Sequence, residues 1–209
     1  GLLAAPARSS CATPAPNGFF FRDGDRAQIL GDSITQQKMY STLIESYVLS
    51  RFPNWKITFR NTGWSGDTMN LRLRRGLDAG FSRDILPLQP TAITIDFGMN
   101  DARAGANGIK TYADSARILA DKLKAAGARV AFITSSPEEK YEAGQPRGSA
   151  YNRMRRQYSD ELKGAATEKG VLFVDQLNPM IANIAAGRAV GVLSRQAGGG
   201  RVTNEGVHH

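Results

Sequence analysis

The chain has 209 residues, enough for one domain with a full hydrophobic core that needs neither disulfides nor a structural metal. Hydrophobic residues make up 41% and charged residues 22%, which excludes a disordered chain, and no apolar run approaches the roughly 20 residues that cross a bilayer. The net charge of +8 raises nucleic acid, anionic polysaccharide and membrane surfaces as partners. Its distribution argues against a dedicated nucleic-acid role. Arg72, Arg74 and Arg75, and again Arg153, Arg155 and Arg156, read as solvated faces of helices, and no ladder of aromatic and basic residues accompanies them. The single cysteine, Cys11, excludes an internal disulfide and a cysteine-ligated metal. The two histidines are His208 and His209, so imidazole chemistry has to draw on the C-terminal end.

Residues 1–18 are rich in Ala, Pro and Ser, lack periodicity and read as a leader. Within them Leu2–Ala7 looks like the tail of an export signal with an A-x-A-like site, which suggests a secreted or periplasmic protein, cytoplasmic otherwise. Residues 19–209 read as one domain. Ala27–Leu30 is a short strand ending at Gly31. Met39–Phe52 has Leu43, Ile44, Tyr47 and Val48 at helical spacing. Lys56–Arg60 reads as a strand, Asn61–Asp67 as a glycine-punctuated loop, and Thr68–Leu77 as a short helix. Ala92–Phe97 is the clearest strand. Ile109–Ala126 is a helix with Ile118, Leu119 and Leu123 on one stripe and Gly127 as its stop. Arg129–Thr134 is a strand, Ser149–Lys169 a helix closed by Gly170, Val171–Asp175 a strand and Pro179–Ala186 a last helix. Five strands alternating with helices predict an α/β fold: a three-layer α/β/α sandwich around a mostly parallel five-stranded sheet of the flavodoxin-like kind. In such sheets the site lies at the carboxyl ends of the strands.

Ser33 follows the first strand at the start of a helix, where N–H groups favour negative charge; a helix N-cap is the competing reading. After the second strand, Gly63 and Gly66 let backbone N–H groups approach a ligand, or form a tight turn capped by Asp67 or Thr68. After the third, Asn100 can donate to an oxyanion and Asp101 can cap the next turn. Asp96-Phe97-Gly98 spells a kinase magnesium motif, rejected because its companion motifs are missing. At the end, Glu205 stands three residues before His208 and can fix its tautomer, unless the histidines are remnants of a tag.

Gly31-Asp32-Ser33-Ile34, Asn61 to Thr68, Gly98-Met99-Asn100-Asp101 and Glu205-Gly206-Val207-His208, in that order, resemble the four blocks of the SGNH hydrolases, the GDSL-type esterases. The resemblance spans residues 27–208. It implies Ser33 as nucleophile, His208 as general base and Glu205 as its orienting acid. The oxyanion donors it implies are the Ser33 and Gly66 N–H groups and the Asn100 amide. It implies no cofactor and no metal. Two departures stand out: glutamate replaces the family's usual aspartate at 205, and the family's proline and final helix do not follow His208. The expected activity is hydrolysis of short-acyl esters, acetyl foremost, on small molecules or polysaccharides. Asp32 and Trp64 are the expected substrate contacts. A lysophospholipase or thioesterase, or a glycan-binding domain that has lost catalysis, are the alternatives.

Overall fold

Ala92–Phe97, six consecutive buried residues, form the central strand of the sheet. Burial on both faces suits its β-branched, apolar run. A computed structural model describes residues 18–137, 141–142, 145–146 and 148–185. In chain order these form β1 (Arg26–Gly31), α1 (Ser33–Gln36), α2 (Met39–Arg51), β2 (Thr58–Asn61), α3 (Leu77–Gly80), β3 (Ala92–Phe97), α4 (Ile109–Ala125), β4 (Arg129–Thr134), β5 (Tyr141–Glu142), β6 (Gln145–Pro146), α5 (Gly148–Lys169), β7 (Leu172–Val174) and α6 (Leu177–Ala185). The five-stranded sheet runs β2-β1-β3-β4-β7, every pair parallel. That is the doubly wound, flavodoxin-like order expected from the alternation. β5 and β6 make a small antiparallel pair that the sequence reading did not anticipate.

The larger core cluster joins Leu30, Ile93, Ile95 and Phe132 of the sheet to Leu119 and Leu123 of α4 and Leu162 of α5. A smaller one gathers where the strands begin: Phe21, Phe52, Trp55 and Ile57, with Phe19 and Phe20 against them. Phe52 and Trp55 stack with centroids 3.9 Å apart. Beside them Arg129, at the start of β4, donates to Asp25 and to the Phe20 carbonyl. Gly127 ends α4 as expected: at φ 82° it sends its N–H to the Lys124 carbonyl, and Ala128 reaches Leu123.

Four expectations are corrected. Thr68–Leu77 is not a helix, because Leu71 and Arg75 take left-handed φ of 55° and 67° around a 3₁₀ turn, Arg72–Arg74. A regular helix tolerates neither. Ile118 faces solvent; the buried stripe of α4 is Tyr112, Ala116, Leu119 and Leu123. On α2, Leu43 and Tyr47 are 71% and 60% exposed, and Val48 is the buried apolar residue. Arg74 and Arg155 are buried, not on solvated faces. No helix among the described residues is long and apolar enough to cross a membrane.

Candidate active site

β1 ends at Gly31, and the chain turns at once into α1, with Ser33 as its first residue. The cap is Asp32, whose Oδ1 accepts the Ile34 N–H at 3.0 Å. Ser33 is therefore not the N-cap. Capping by its neighbour leaves it in the first turn of a helix, half-buried at the carboxyl edge of the sheet.

The loop after β2 is tied onto this turn. The Trp64 N–H donates to the Gly31 carbonyl at 2.9 Å, and Asn61 Nδ2 donates to the Thr35 carbonyl at 2.6 Å. Gly63 lies so close to α1 that a Cβ would come within 2.3 Å of the Gln36 nitrogen and 2.6 Å of the Thr35 carbonyl carbon. Backbone cannot yield as a flexible side chain does, so Gly63→Ala is expected to cost about 1–3 kcal/mol, read as a lowered urea midpoint. Gly66 takes φ +80°, and among the described residues its N–H makes no backbone hydrogen bond.

A buried ion pair holds the loop's second half. Asp67 is fully buried; its Oδ1 accepts the Leu73 N–H and its Oδ2 the Arg74 Nε at 2.8 Å. Arg74 also donates to the Thr62 carbonyl and stands 5.3 Å from the Trp64 ring centroid. Asp67 thus caps a turn, as one reading had it, but the partner that fixes it is an arginine seven residues later.

After β3, Asn100 Nδ2 donates to the Asp67 carbonyl at 2.9 Å and to Asp32 Oδ2 at 3.2 Å. These bonds bring the turn before Ser33, the Gly66–Asp67 turn and Asn100 into contact. Asp101 does not cap the next turn with Oδ1, which accepts the Met69 N–H at 3.0 Å. Asp32 is 2% exposed with both carboxylate oxygens turned inward, a poor position for the substrate contact expected of it. Trp64 is 45% exposed beside the loop. Glu205 and His208 lie outside the described residues.

Beneath these turns sits a group of buried carboxylates that sequence reasoning missed. Burial pushes Asp32 up to about 6 and Asp101 up to about 7, against hydrogen bonds from Ile34 and Met69 that favour ionisation. Asp96, wholly buried in β3, is pushed far up by burial and then by the Asp32 charge. Gln176, just after β7, donates to Asp96 at 3.2 Å and to the Thr134 carbonyl, while Arg155 reaches in from α5 to the Ser136 carbonyl. Among the described residues no three His, Cys, Asp or Glu side chains come together to hold a metal ion.

The sign of the pH effect follows. Asp101 binds its proton more tightly folded than unfolded, so its contribution falls as pH rises from 3.8 to about 7 and is constant above. Asp101→Asn keeps the acceptor for Met69 and removes the charge. Its stability relative to the parent chain should therefore climb across that window, in urea midpoints measured at pH 5 and pH 8.

A cavity of about 630 Å³ opens beside Gly66 and Asn100 and continues past Thr68, Asn70, Arg72 and Arg103 to Thr111 at the start of α4.

A serine in the first helical turn after the first strand, with a glycine turn and an asparagine brought against it, defines a serine hydrolase scaffold of the three-layer α/β type. The chain belongs to the GDSL-like lipase/acylhydrolase family, whose sequence profile matches residues 29–193. Among solved structures it is similar to a gut microbial diltiazem-metabolizing enzyme (TM-score 0.71, 24% identity), over 90% of this chain and 43% of that one. The chain thus spans less than half the length of that enzyme. It is also similar to Axe2, an acetylxylan esterase from Geobacillus stearothermophilus (TM-score 0.66, 21% identity), over 78% of this chain and 81% of that one. A catalytic aspartate mutant of Axe2 matches with TM-score 0.69 and 20% identity, over 91% of this chain and 89% of that one. Other catalytic mutants of Axe2 replace a serine and a histidine. No curated protein matches.

Proposed function

We propose that this protein is a serine esterase that removes short acyl groups, acetyl foremost, from carbohydrate esters through an acyl-enzyme on Ser33. The observation that carries the reading is the hydrogen-bonded contact of three strand ends: Asp32 beside Ser33, Asp67 beside Gly66, and Asn100 bonded to both. In this mechanism His208, oriented by Glu205, takes the Ser33 proton as Oγ attacks the ester carbonyl. The oxyanion is met by the N–H groups of Ser33 and Gly66 and by the Asn100 amide. Of Asn100's two bonds, the longer one to Asp32 is the one the oxyanion competes for. The alcohol leaves with the proton from His208, and water then releases the acid. Catalytic mutants of Axe2 that change a serine, an aspartate and a histidine support these roles by analogy. A secreted or periplasmic location, suggested by residues 2–7, suits a polysaccharide ester.

Thr68, Asn70, Asn107 and Thr111 line the cavity and supply donors and acceptors for sugar hydroxyls, which supports a sugar over a fatty chain. The test is fluorophosphonate labelling followed by peptide mass spectrometry, alongside turnover of p-nitrophenyl acetate. Stoichiometric label on Ser33 with turnover is expected. Turnover with the label on another residue, or neither label nor turnover, overturns the assignment.

A further inference from the structure

Arg72 and Arg103 both line the cavity beside Gly66 and Asn100, and both are exposed. The cations that hold the scaffold together have acidic partners: Arg74 with Asp67, Arg117 with Glu168, Arg129 with Asp25. Arg72 and Arg103 form no ion pair among the described residues; the Arg72 guanidinium reaches only the Gly66 carbonyl, at 3.4 Å. Asp101 is the one carboxylate among the cavity's lining residues. Its Oδ1 is bonded to Met69 and it forms no ion pair with either arginine among the described residues; Asp32, buried and bonded to Asn100, lies within electrostatic reach of Arg103. Gly108 and Thr111 place the start of the 17-residue α4 on the same cavity, and the positive end of its dipole adds to the field.

We propose that this cavity is a subsite for an anionic group, a carboxylate or sulfate, carried by the sugar whose ester is cleaved, with Arg72 and Arg103 as its specificity-determining residues. The proposal rests on the esterase reading above and narrows its substrate to acidic carbohydrates. Two guanidinium forks with amide and hydroxyl neighbours match planar or tetrahedral oxyanions and adjoining sugar hydroxyls, whereas a neutral acetylated sugar offers them no charge to pair with.

The test compares a mono-O-acetylated methyl glucuronide, its 6-sulfated glucoside counterpart and the neutral methyl glucoside. At low salt the anionic esters should exceed the neutral one in kcat/KM by about tenfold or more, mainly through KM, and the gap should close as added salt screens the arginines. Arg72→Gln and Arg103→Gln should each narrow the gap by about tenfold. Arg51→Gln makes the same charge change at the far end of α2, near Phe52, and should not narrow it. Preference for glucuronide identifies a carboxylate and preference for the sulfated sugar a sulfate. Equal kcat/KM for all three esters overturns the proposal. Should p-nitrophenyl acetate not be hydrolysed, the esterase reading fails, and titration of methyl glucuronide against methyl glucoside decides the subsite alone. Tighter glucuronide binding that is lost in the Arg72→Gln, Arg103→Gln double variant upholds it, and equal binding of the two sugars sinks it.

Discussion

Ser33→Ala lowers kcat on p-nitrophenyl acetate by about 10⁴–10⁶, the range reached when the nucleophile is lost from a serine hydrolase whose oxyanion donors stay in place. The residual rate is informative, because those donors still favour direct attack by water. Removing His208 as well should then add little, since nucleophile and base act as one unit. A double variant slower than Ser33→Ala by the full factor of the His208→Ala single variant would show that the two do not cooperate. That comparison reaches His208, which lies outside the described residues, through its chemistry. Circular dichroism melts of all three variants separate lost catalysis from lost fold.

Arg74→Met is the largest expected effect on stability. Asp67 is fully buried and its Oδ2 faces Arg74 at 2.8 Å, so the variant leaves a buried carboxylate without its cation. Breaking one side of such a pair costs about 3–5 kcal/mol. At about 2–4 °C per kcal/mol for a chain of this size, the melting temperature should drop by about 6–20 °C. Asp67→Leu combined with Arg74→Met removes both charges and should recover much of that loss. Activity should not return with it. The Asp67 side chain also anchors Leu73, and Arg74 anchors the Thr62 carbonyl, so Gly66 sits between two released tethers. A double variant that regains stability and full turnover would show that this pair does not position the glycine turn.

The strand ends were legible because each carries its own punctuation. Gly31, Gly63, Gly66 and Gly98 mark the places where the backbone turns out of the sheet, and Ser33 and Asn100 each stand two residues past such a glycine. Periodicity also located β3 and α4 to within a residue or two. It failed where two environments share one spacing. Leu43 and Tyr47 have the same helical spacing as a core stripe, yet α2 turns them to solvent. Arg72 and Arg74 sit two positions apart in one cluster, and the left-handed turns at Leu71 and Arg75, made without glycine, bury one and leave the other exposed. The same limit hid the buried carboxylates. Asp32, Asp96 and Asp101 belong to two different strand ends, and the sheet order rather than the chain order brings them within electrostatic reach.

The aromatic cluster around Phe19, Phe21, Phe52 and Trp55 gives the molecule a practical polarity. It grips the chain where the strands start, while Ser33, Gly66 and Asn100 lie where they finish, some 20 Å away along the six residues of β1. A linker fused directly to Phe19 in place of residues 1–18 would therefore leave from the face opposite the cleft. Immobilised through that end on a bead or electrode, the protein would present its opening outward, and a bulky polymer could approach it without meeting the support.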